Sequence, residues 1–190
     1  MSDTQHERKP RGPQVVVMGV SGSGKSTIGL LVAHALGVPF VDGDSLHPAS
    51  NIAKMAAGTP LTDEDRWPWL QRVGAEIAAA EGSGIVVACS ALKRAYRDVI
   101  RTEAPEAIFL HLDGSKSVLA RRLQGRSDHF MPVSLLDSQL STLQRLDPDE
   151  HAIVVDIAAP VDQVVQEAVS GIRVGCDGSV APSASGRLIH

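Results

Sequence analysis

The fold of this chain is set by the stretch VVVMGVSGSGKST, residues 15–27. It opens with the apolar run Val15–Met18, which predicts a strand buried on both faces, as in a parallel sheet. Gly19–Ser26 then follows the spacing G-x-x-x-x-G-K-S, whose glycines let backbone N–H groups converge on phosphate oxygens. Apolar residues at helical spacing continue through Ile28–Leu36, and Gly37 predicts the end of that helix. A strand, a glycine-rich loop and a helix in this order predict a nucleotide site.

Two residues at the end of the loop are expected to contribute chemistry of their own. Lys25 can place its positive charge on the β and γ phosphates, and the hydroxyl of Ser26 can bind Mg²⁺. The helix that begins at Lys25 adds the positive end of its dipole. We therefore expect ATP and Mg²⁺ as ligands.

Further apolar runs alternate with helical patterns along the rest of the chain. The predicted strands are 38–41, 85–88, 107–110 and 153–155, and helical stripes lie at 70–80 and, after Pro160, at 161–172. Strands that alternate with helices predict an α/β domain with a parallel sheet.

The composition of the chain limits its expected partners, location and domain organisation. The chain has 190 residues, a formal net charge of −4 and few aromatic residues, so a nucleic acid partner is not expected. No apolar run reaches the ~18 residues of a membrane span, and no secretory signal is visible, so we expect a cytoplasmic protein without a membrane partner. The expected organisation is a flexible leader, 1–13, one domain, 14–174, and a flexible tail, 175–190.

Two carboxylates follow the second predicted strand as Asp42-Gly43-Asp44. In an extended segment both would point the same way, so one could hold the metal while the other accepts a proton from a substrate hydroxyl. The alternative is an ordinary Asp-Gly turn. The third strand ends instead in Cys89 and Ser90, and we expect Cys89 to be a packing residue.

Longer motifs resemble those of bacterial-type gluconokinases. They read MGVSGSGKST, DGDSLHPASNIAKMAAGTPLTDEDRWPWL, CSALKRAYRD and VVDIAAP, within a resemblance that runs from about Val15 to Ile172. The resemblance implies the P-loop NTPase fold of shikimate and nucleoside-monophosphate kinases, with a lid and a five-stranded parallel sheet in the order 2-3-1-4-5. It also implies transfer of the γ-phosphate of ATP to the 6-hydroxyl of D-gluconate, giving 6-phospho-D-gluconate and ADP, usually by a homodimer.

The resemblance further suggests roles for single residues. The catalytic set is Lys25, Asp44 and Arg126, and the metal side is Ser26 with Asp42. Nucleotide contacts are expected from Gly19, Val20, Ser21, Gly22, Ser23, Gly24, Lys25, Ser26, Thr27, Arg122, Arg126 and Pro160. Gluconate contacts are expected from Asp44, His47, Lys54, Arg66, Ser90, Lys93 and Arg97.

Two of these roles have structural alternatives. Arg66 is the best candidate for the gluconate carboxylate because a guanidinium can make two parallel hydrogen bonds, but it could instead pair with Asp63 or Asp65 at a helix start. His47 precedes Pro48 at a helix entry, so it either binds substrate or positions that helix.

Other functions stay open at this point. The nearest is a P-loop kinase for shikimate or a nucleoside monophosphate. A regulatory or motor ATPase is a second, although the missing carboxylate at the end of the third strand disfavours it. Between Lys93 and Arg126 the chain has eight basic and four acidic residues, a balance that favours small anionic substrates.

Overall fold

A computed structural model describes residues 11–124 and 133–176. Five parallel strands form one sheet in the order β2-β3-β1-β4-β5, as expected from the resemblance. In chain order the elements are β1 (Gly12–Met18), α1 (Lys25–Leu36), β2 (Phe40–Asp42), a short 3₁₀ helix (Gly43–Leu46), α2 (Ala49–Ala56), α3 (Asp63–Ala79), β3 (Ser83–Ala88), α4 (Arg94–Glu103), β4 (Ile108–Asp113), α5 (Lys116–Gln124), α6 (Val133–Thr142), β5 (Ala152–Asp156) and α7 (Val161–Cys176).

The position of β1 at the centre of the sheet explains why its sequence is continuously apolar. Val15 and Val17 pack with α1 and α7 on one face of the sheet. Val16 and Met18 pack with α3 and α4 on the other face. All four side chains are fully buried. A strand covered on both faces gains from apolar residues at every position, since neither face meets water.

The ends of several elements differ from the expected ones. β1 begins at Gly12, because Gly12 pairs with Ser83 of β3, so residues 12 and 13 belong to the sheet and not to a leader. α7 continues to Cys176, past the helical stripe expected at 161–172 and into the residues expected to form the tail. Gly37 does end α1, in the left-handed conformation (φ 68°) that glycine adopts without strain.

α3 begins earlier than the pattern 70–80 suggested. Thr62 caps the helix: its hydroxyl accepts from the backbone N–H of Asp65, and the Asp65 carboxylate accepts from the N–H of Thr62. This reciprocal pair satisfies two backbone donors that would otherwise be unpaired at a helix start. The helix therefore starts at Asp63 and contains Pro68. Its first turns contact the segments that follow β2 and β3, because Trp69 donates to the carbonyl oxygen of Gly43 and Asp63 accepts from Lys93.

The carboxyl ends of the strands place the candidate site. The loops after β1, β2 and β3 begin at Gly19, Gly43 and Cys89, and parallel strands that are neighbours in the sheet present these loops at one edge. Ligands of open α/β sheets bind at this edge, where the strand order reverses. None of the helices in the described ranges is long and apolar enough to cross a membrane.

Candidate active site

The glycine-rich loop lies between β1 and α1, as predicted. Gly19, Gly22 and Gly24 all have positive φ, and Gly24 (φ 94°) is the cap residue of α1. Only glycine adopts these conformations without strain, and they turn backbone N–H groups toward one point. The ammonium of Lys25 donates to the carbonyl oxygen of Val20 at 3.2 Å, so it lies across the loop.

Ser26 and Asp42 come together in the way that a metal site requires. The hydroxyl of Ser26 donates to Oδ2 of Asp42 at 3.0 Å. Hydroxyl and carboxylate oxygens are hard ligands of the type that Mg²⁺ prefers, and Mg²⁺ takes its other ligands from phosphates and water. No group of three or more His, Cys, Asp and Glu side chains among the described residues could hold a metal without such help. The residues present therefore fit Mg²⁺ beside a bound nucleotide.

The Asp42-Gly43-Asp44 segment is a turn as well as part of the site. Asp42 ends β2 and caps the 3₁₀ helix, and its Oδ1 accepts from the N–H of Asp44 at 3.1 Å. Asp44 lies in that helix, so the expected extended geometry is wrong. Asp42 nevertheless contacts the end of the phosphate loop through Ser26, and Asp44 is joined to Asp42 by its backbone N–H.

Cys89 is a buried packing residue, as expected. It directly follows the apolar run of β3 and is 2% exposed. Burial, reinforced by the neighbouring carboxylates, raises the pKa of the thiol to about 12. Only the thiolate is an effective nucleophile, so Cys89 is unsuited to covalent catalysis near neutral pH.

His47 lies in a buried polar pocket beside Asp44. Its ring stacks on Trp69 with centroids 4.1 Å apart. Nδ1 lies 3.3 Å from the amide nitrogen of Asn51, and Nε2 lies 4.0 Å from Oδ1 of Asp44. Burial lowers the pKa of His47, Asp44 opposes this effect, and Arg66 adds to it. The imidazole is therefore neutral near pH 7 and faces the segment in which a substrate hydroxyl is expected.

Two predicted substrate ligands, Arg66 and Lys93, meet on one carboxylate. Asp63 accepts from Lys93 at 2.7 Å, from the hydroxyl of Tyr96 at 2.5 Å and from Arg66 at 3.2 Å. We call these four residues the Asp63 cluster. The Lys93 hydrogen bond lowers the pKa of the Asp63 carboxyl, which in turn raises the pKa of Lys93.

Arg66 therefore pairs with Asp63 at the start of α3, which is the alternative to carboxylate binding that the sequence left open. The cluster still has two cations for one carboxylate, and the side chains of Arg66, Lys93 and Asp63 are about one-third exposed. A second anion could pair with the remaining positive charge. Pairing of Arg66 with Asp63 is therefore compatible with the binding of a further anion by the cluster.

Lys54 is held at the start of α3. Its ammonium donates to both carboxylate oxygens of Asp65, at 2.7 and 2.8 Å, and this bond lowers the pKa of Asp65. The side chain of Lys54 is 43% exposed, so its ammonium stays accessible to solvent. Ser90 contributes its backbone, since its carbonyl oxygen accepts from the N–H of Gly19 at 3.3 Å.

The expectation that Arg97 binds substrate is wrong. Its side chain is fully buried, and Nε and Nη2 donate to the carboxylate of Glu150 at 2.5 and 2.8 Å. The guanidinium also donates to four backbone carbonyl oxygens, those of Ala91, Leu92, Gln144 and Arg145. Arg97 is therefore an internal cation that holds the loop after β3 against the segment after α6.

Arg122 and Pro160 are further predicted nucleotide ligands, and both lie beside the segment that follows β5. Arg122 donates to the carbonyl oxygens of Ser23, at 3.2 Å, and Ile157, at 2.6 Å. It thus joins the loop to the segment before Pro160, whose carbonyl oxygen accepts from the first turn of α7. Arg126 lies outside the described residues.

Several residues of the site had no signal in the sequence. Asn51 and Tyr96 lie in motifs quoted above, but nothing in their spacing distinguishes them. Gln139 of α6 accepts from the N–H of Ser21 in the phosphate loop at 2.6 Å. Such contacts between distant segments become visible only in the folded chain.

Comparisons with known proteins show which family this chain resembles. A family model described as "Shikimate kinase" matches residues 21–170. The chain is 47% identical to the thermosensitive gluconokinase of Escherichia coli (strain K12), over 85% of this chain and 90% of that one. It is 46% identical to the gluconokinase of Gluconobacter oxydans (strain 621H), over 88% and 94%.

Solved structures point the same way. A gluconokinase from Sinorhizobium meliloti 1021 superposes with a TM-score of 0.80 at 49% identity, covering 90% of this chain and 97% of that one. Similarity at this level covers nearly the whole of both chains. The chain therefore belongs to the gluconokinase family, within the wider family of shikimate kinase-like P-loop kinases.

Proposed function

We propose that the protein transfers the γ-phosphate of ATP to the 6-hydroxyl of D-gluconate, with Mg²⁺, and releases 6-phospho-D-gluconate and ADP. Its membership of the gluconokinase family supports gluconate as the acceptor. The position of the hydroxyl and the roles of single residues are part of the proposal.

One observation carries the assignment. A series of contacts connects the phosphate loop with α3, which carries Asp63 and Arg66, and Asp44 is part of it. Ser26 donates to Asp42, and Asp42 accepts from the N–H of Asp44. Asp44 in turn lies 4.0 Å from Nε2 of His47, whose ring stacks on Trp69 of α3. A donor phosphate at one end and an acceptor anion at the other would place a hydroxyl between them, beside Asp44.

The chemistry follows from this order. Lys25 would offset the charge that spreads over the γ-phosphoryl oxygens, and Ser26 and Asp42 would hold Mg²⁺, which neutralises the same oxygens when it is bound. The Asp44 side chain is 87% exposed and would orient the hydroxyl and accept its proton. The spare positive charge of the Asp63 cluster would bind the gluconate carboxylate, which glucose lacks.

The expected experiment is an ADP-release assay with the full chain, ATP and Mg²⁺. We would compare gluconate, other sugar acids, glucose, shikimate and nucleoside monophosphates, and identify the phosphorylated carbon of the product by NMR. Turnover should require gluconate and yield a 6-phosphate. A higher kcat/KM for shikimate or a nucleoside monophosphate, or steady ATP hydrolysis without any acceptor, would overturn the proposal.

A homodimer and a cytoplasmic location belong to the same proposal. Leu30 and Leu31 of α1 are 57% and 39% exposed, and burial between two copies would remove this apolar surface from water. Cys89 is a buried thiol, as a reducing compartment favours. Analytical ultracentrifugation tests the assembly, and a monomer at micromolar concentration would contradict it.

A further inference from the structure

The hydrogen bonds of Asn51 determine which nitrogen of His47 carries the proton. Asn51 is 2% exposed, and its amide nitrogen donates to the backbone carbonyl oxygen of Asp65 at 2.8 Å. A carbonyl oxygen only accepts, so the nitrogen end of the amide must face it. The same nitrogen lies 3.3 Å from Nδ1 of His47. Since an amide nitrogen is a donor only, Nδ1 must be the unprotonated acceptor, and the proton of the neutral ring is on Nε2.

The surroundings of the ring keep it neutral and fixed in orientation. The imidazole is stacked on Trp69 with an interplanar angle of 17°, and the indole N–H of Trp69 donates to the carbonyl oxygen of Gly43 at 2.7 Å. The charged groups that act on it are Asp44, from the 3₁₀ helix, and Arg66, from α3. Asn51, its partner from α2, is uncharged. Burial prevails over Asp44, so the pKa of His47 is lowered.

The Nε2–H bond points toward the carboxylate that is expected to act as the base. Nε2 is 4.0 Å from Oδ1 of Asp44, too long for a hydrogen bond. The Asp44 side chain is 87% exposed, so a small rotation can shorten this distance. Hydrogen bonds of catalytic groups are often long before substrate binds and tighten in the complex.

We propose that His47 is a positioning residue, held by Asn51 as the Nε2–H tautomer, which donates to one oxygen of Asp44 and leaves the other free for the substrate hydroxyl. The inference rests on the proposed function, in which Asp44 is the base. A neutral donor suits this task because it orients the carboxylate without adding a full positive charge. An imidazolium in the same place would make Asp44 a weaker base.

The tautomer is tested directly in the full-length protein, without any substrate. Imidazole ¹⁵N–¹H correlation spectra, assigned by comparison with a His47→Gln variant, distinguish the Nε2–H, Nδ1–H and doubly protonated forms. We expect the Nε2–H form of His47 throughout pH 6.5–8. A ring protonated on Nδ1, or one that titrates with a pKa above 6.5, would overturn the inference.

Two variants separate positioning from packing. The amide nitrogen of glutamine can reach the place of Nε2, whereas asparagine is too short and reaches only the place of Nδ1. His47→Gln should therefore retain turnover that His47→Asn loses, with a kcat ratio of roughly 10- to 100-fold, the value of one hydrogen bond to a charged group. The KM for ATP should be similar in both variants. If His47 only fills space beside Trp69, the two variants will have equal kcat.

The pH dependence provides a second readout. Replacing Asn51 by Asp places a carboxylate at Nδ1, which requires a proton there and favours the imidazolium. We expect Asn51→Asp to raise the pKa of His47 in the NMR titration and to lower kcat below that pKa, where the imidazolium weakens Asp44. An unchanged titration of His47 would contradict the contact on which the inference depends.

These outcomes also separate the inference from the proposed function. If the wild-type protein does not phosphorylate gluconate, the function fails, while the NMR titration still tests the tautomer. If the wild-type protein is active and the Gln and Asn variants are equal, the function stands and the positioning role of His47 is wrong.

Discussion

Loss of the buried ion pair between Arg97 and Glu150 should destabilise the protein strongly. In Arg97→Met the Glu150 carboxylate would stay fully buried and lose both hydrogen bonds, at 2.5 and 2.8 Å, to its cation. Among the described residues it would keep the backbone N–H of Asp147, at 2.9 Å, and a distant contact with Arg94, at 3.8 Å. Removing one partner of a buried pair costs about 3–5 kcal/mol. Because domains of this kind are stable by only about 5–15 kcal/mol, this is a large fraction of the total.

A matched control lies one turn earlier in the same helix. Arg94 also binds carboxylates, those of Asp98, Asp147 and Asp149, but these are at least half exposed. Water can replace the lost partner there, so Arg94→Met should be far milder than Arg97→Met. Replacing both partners of the buried pair, as in Arg97→Met with Glu150→Leu, should recover much of the loss, because no buried charge is left without a partner.

The assay is urea unfolding at pH 7, followed by circular dichroism, with the free energy of unfolding obtained by linear extrapolation. If Arg97→Met does not fold, the free energies of unfolding of the double variant and of Glu150→Gln can still be compared. Glu150→Gln keeps an acceptor for the guanidinium. A loss in Arg97→Met no greater than that in Arg94→Met would refute the reasoning. So would a double variant less stable than Arg97→Met alone.

The same pair predicts a pH dependence. Burial is the largest single influence on Glu150 and would raise its pKa. The hydrogen bonds from Arg97 and from the N–H of Asp147, together with the charges of Arg97 and Arg94, outweigh burial, so the pKa is below its ordinary value of 4.5. A carboxyl with a lowered folded-state pKa contributes stability above its unfolded-state pKa and loses it as the pH falls through the folded-state value. Wild-type stability should therefore decrease below about pH 4.5, and Arg97→Met should show less of this decrease.

Three further results are expected. Asp44→Asn should reduce kcat by roughly 100-fold or more with nearly normal ATP affinity, whereas Asp42→Asn should change the Mg²⁺ dependence. Steady-state kinetics with varied ATP and Mg²⁺ measure both effects, and the opposite pattern would show that the roles of Asp42 and Asp44 are interchanged. Cys89→Ala should stay active, and the native Cys89 thiol should not react with a thiol reagent at pH 8, because burial raises its pKa to about 12; rapid labelling with loss of activity would contradict this. Arg66→Ala should reduce the kcat/KM preference for gluconate over glucose with little change in the KM for ATP, and an undiminished preference would show that the carboxylate binds elsewhere.

Local features of this protein could be predicted from its sequence because their causes are local. The apolar run Val15–Met18 is continuous since β1 is covered on both faces. The loop Gly19–Ser26 follows from glycines whose positive φ values no other residue adopts easily. Gly37 ends α1 and Pro160 precedes α7, each through backbone properties of a single residue.

The roles of charged side chains were less predictable, because they depend on partners far away in the chain. Arg97 has the same sequence signal as Lys93, yet Glu150, 53 residues later, makes Arg97 an internal cation. Lys93 and Tyr96 reach Asp63 across 30 and 33 residues. A motif shows that a cation is present near a site, but not which acceptor it meets.

The sequence by itself determined the strand–loop–helix unit that binds phosphate and, through its resemblance to a family, the order of the strands. Tertiary structure alone decided the direction in which each polar group points: Asp42 toward Ser26, Asn51 toward His47, and Arg97 into the interior. The physical reason is the range of the interactions. Backbone conformation and apolar periodicity depend on neighbouring residues, whereas hydrogen bonds and ion pairs depend on distances that exist only after the helices have packed on the sheet.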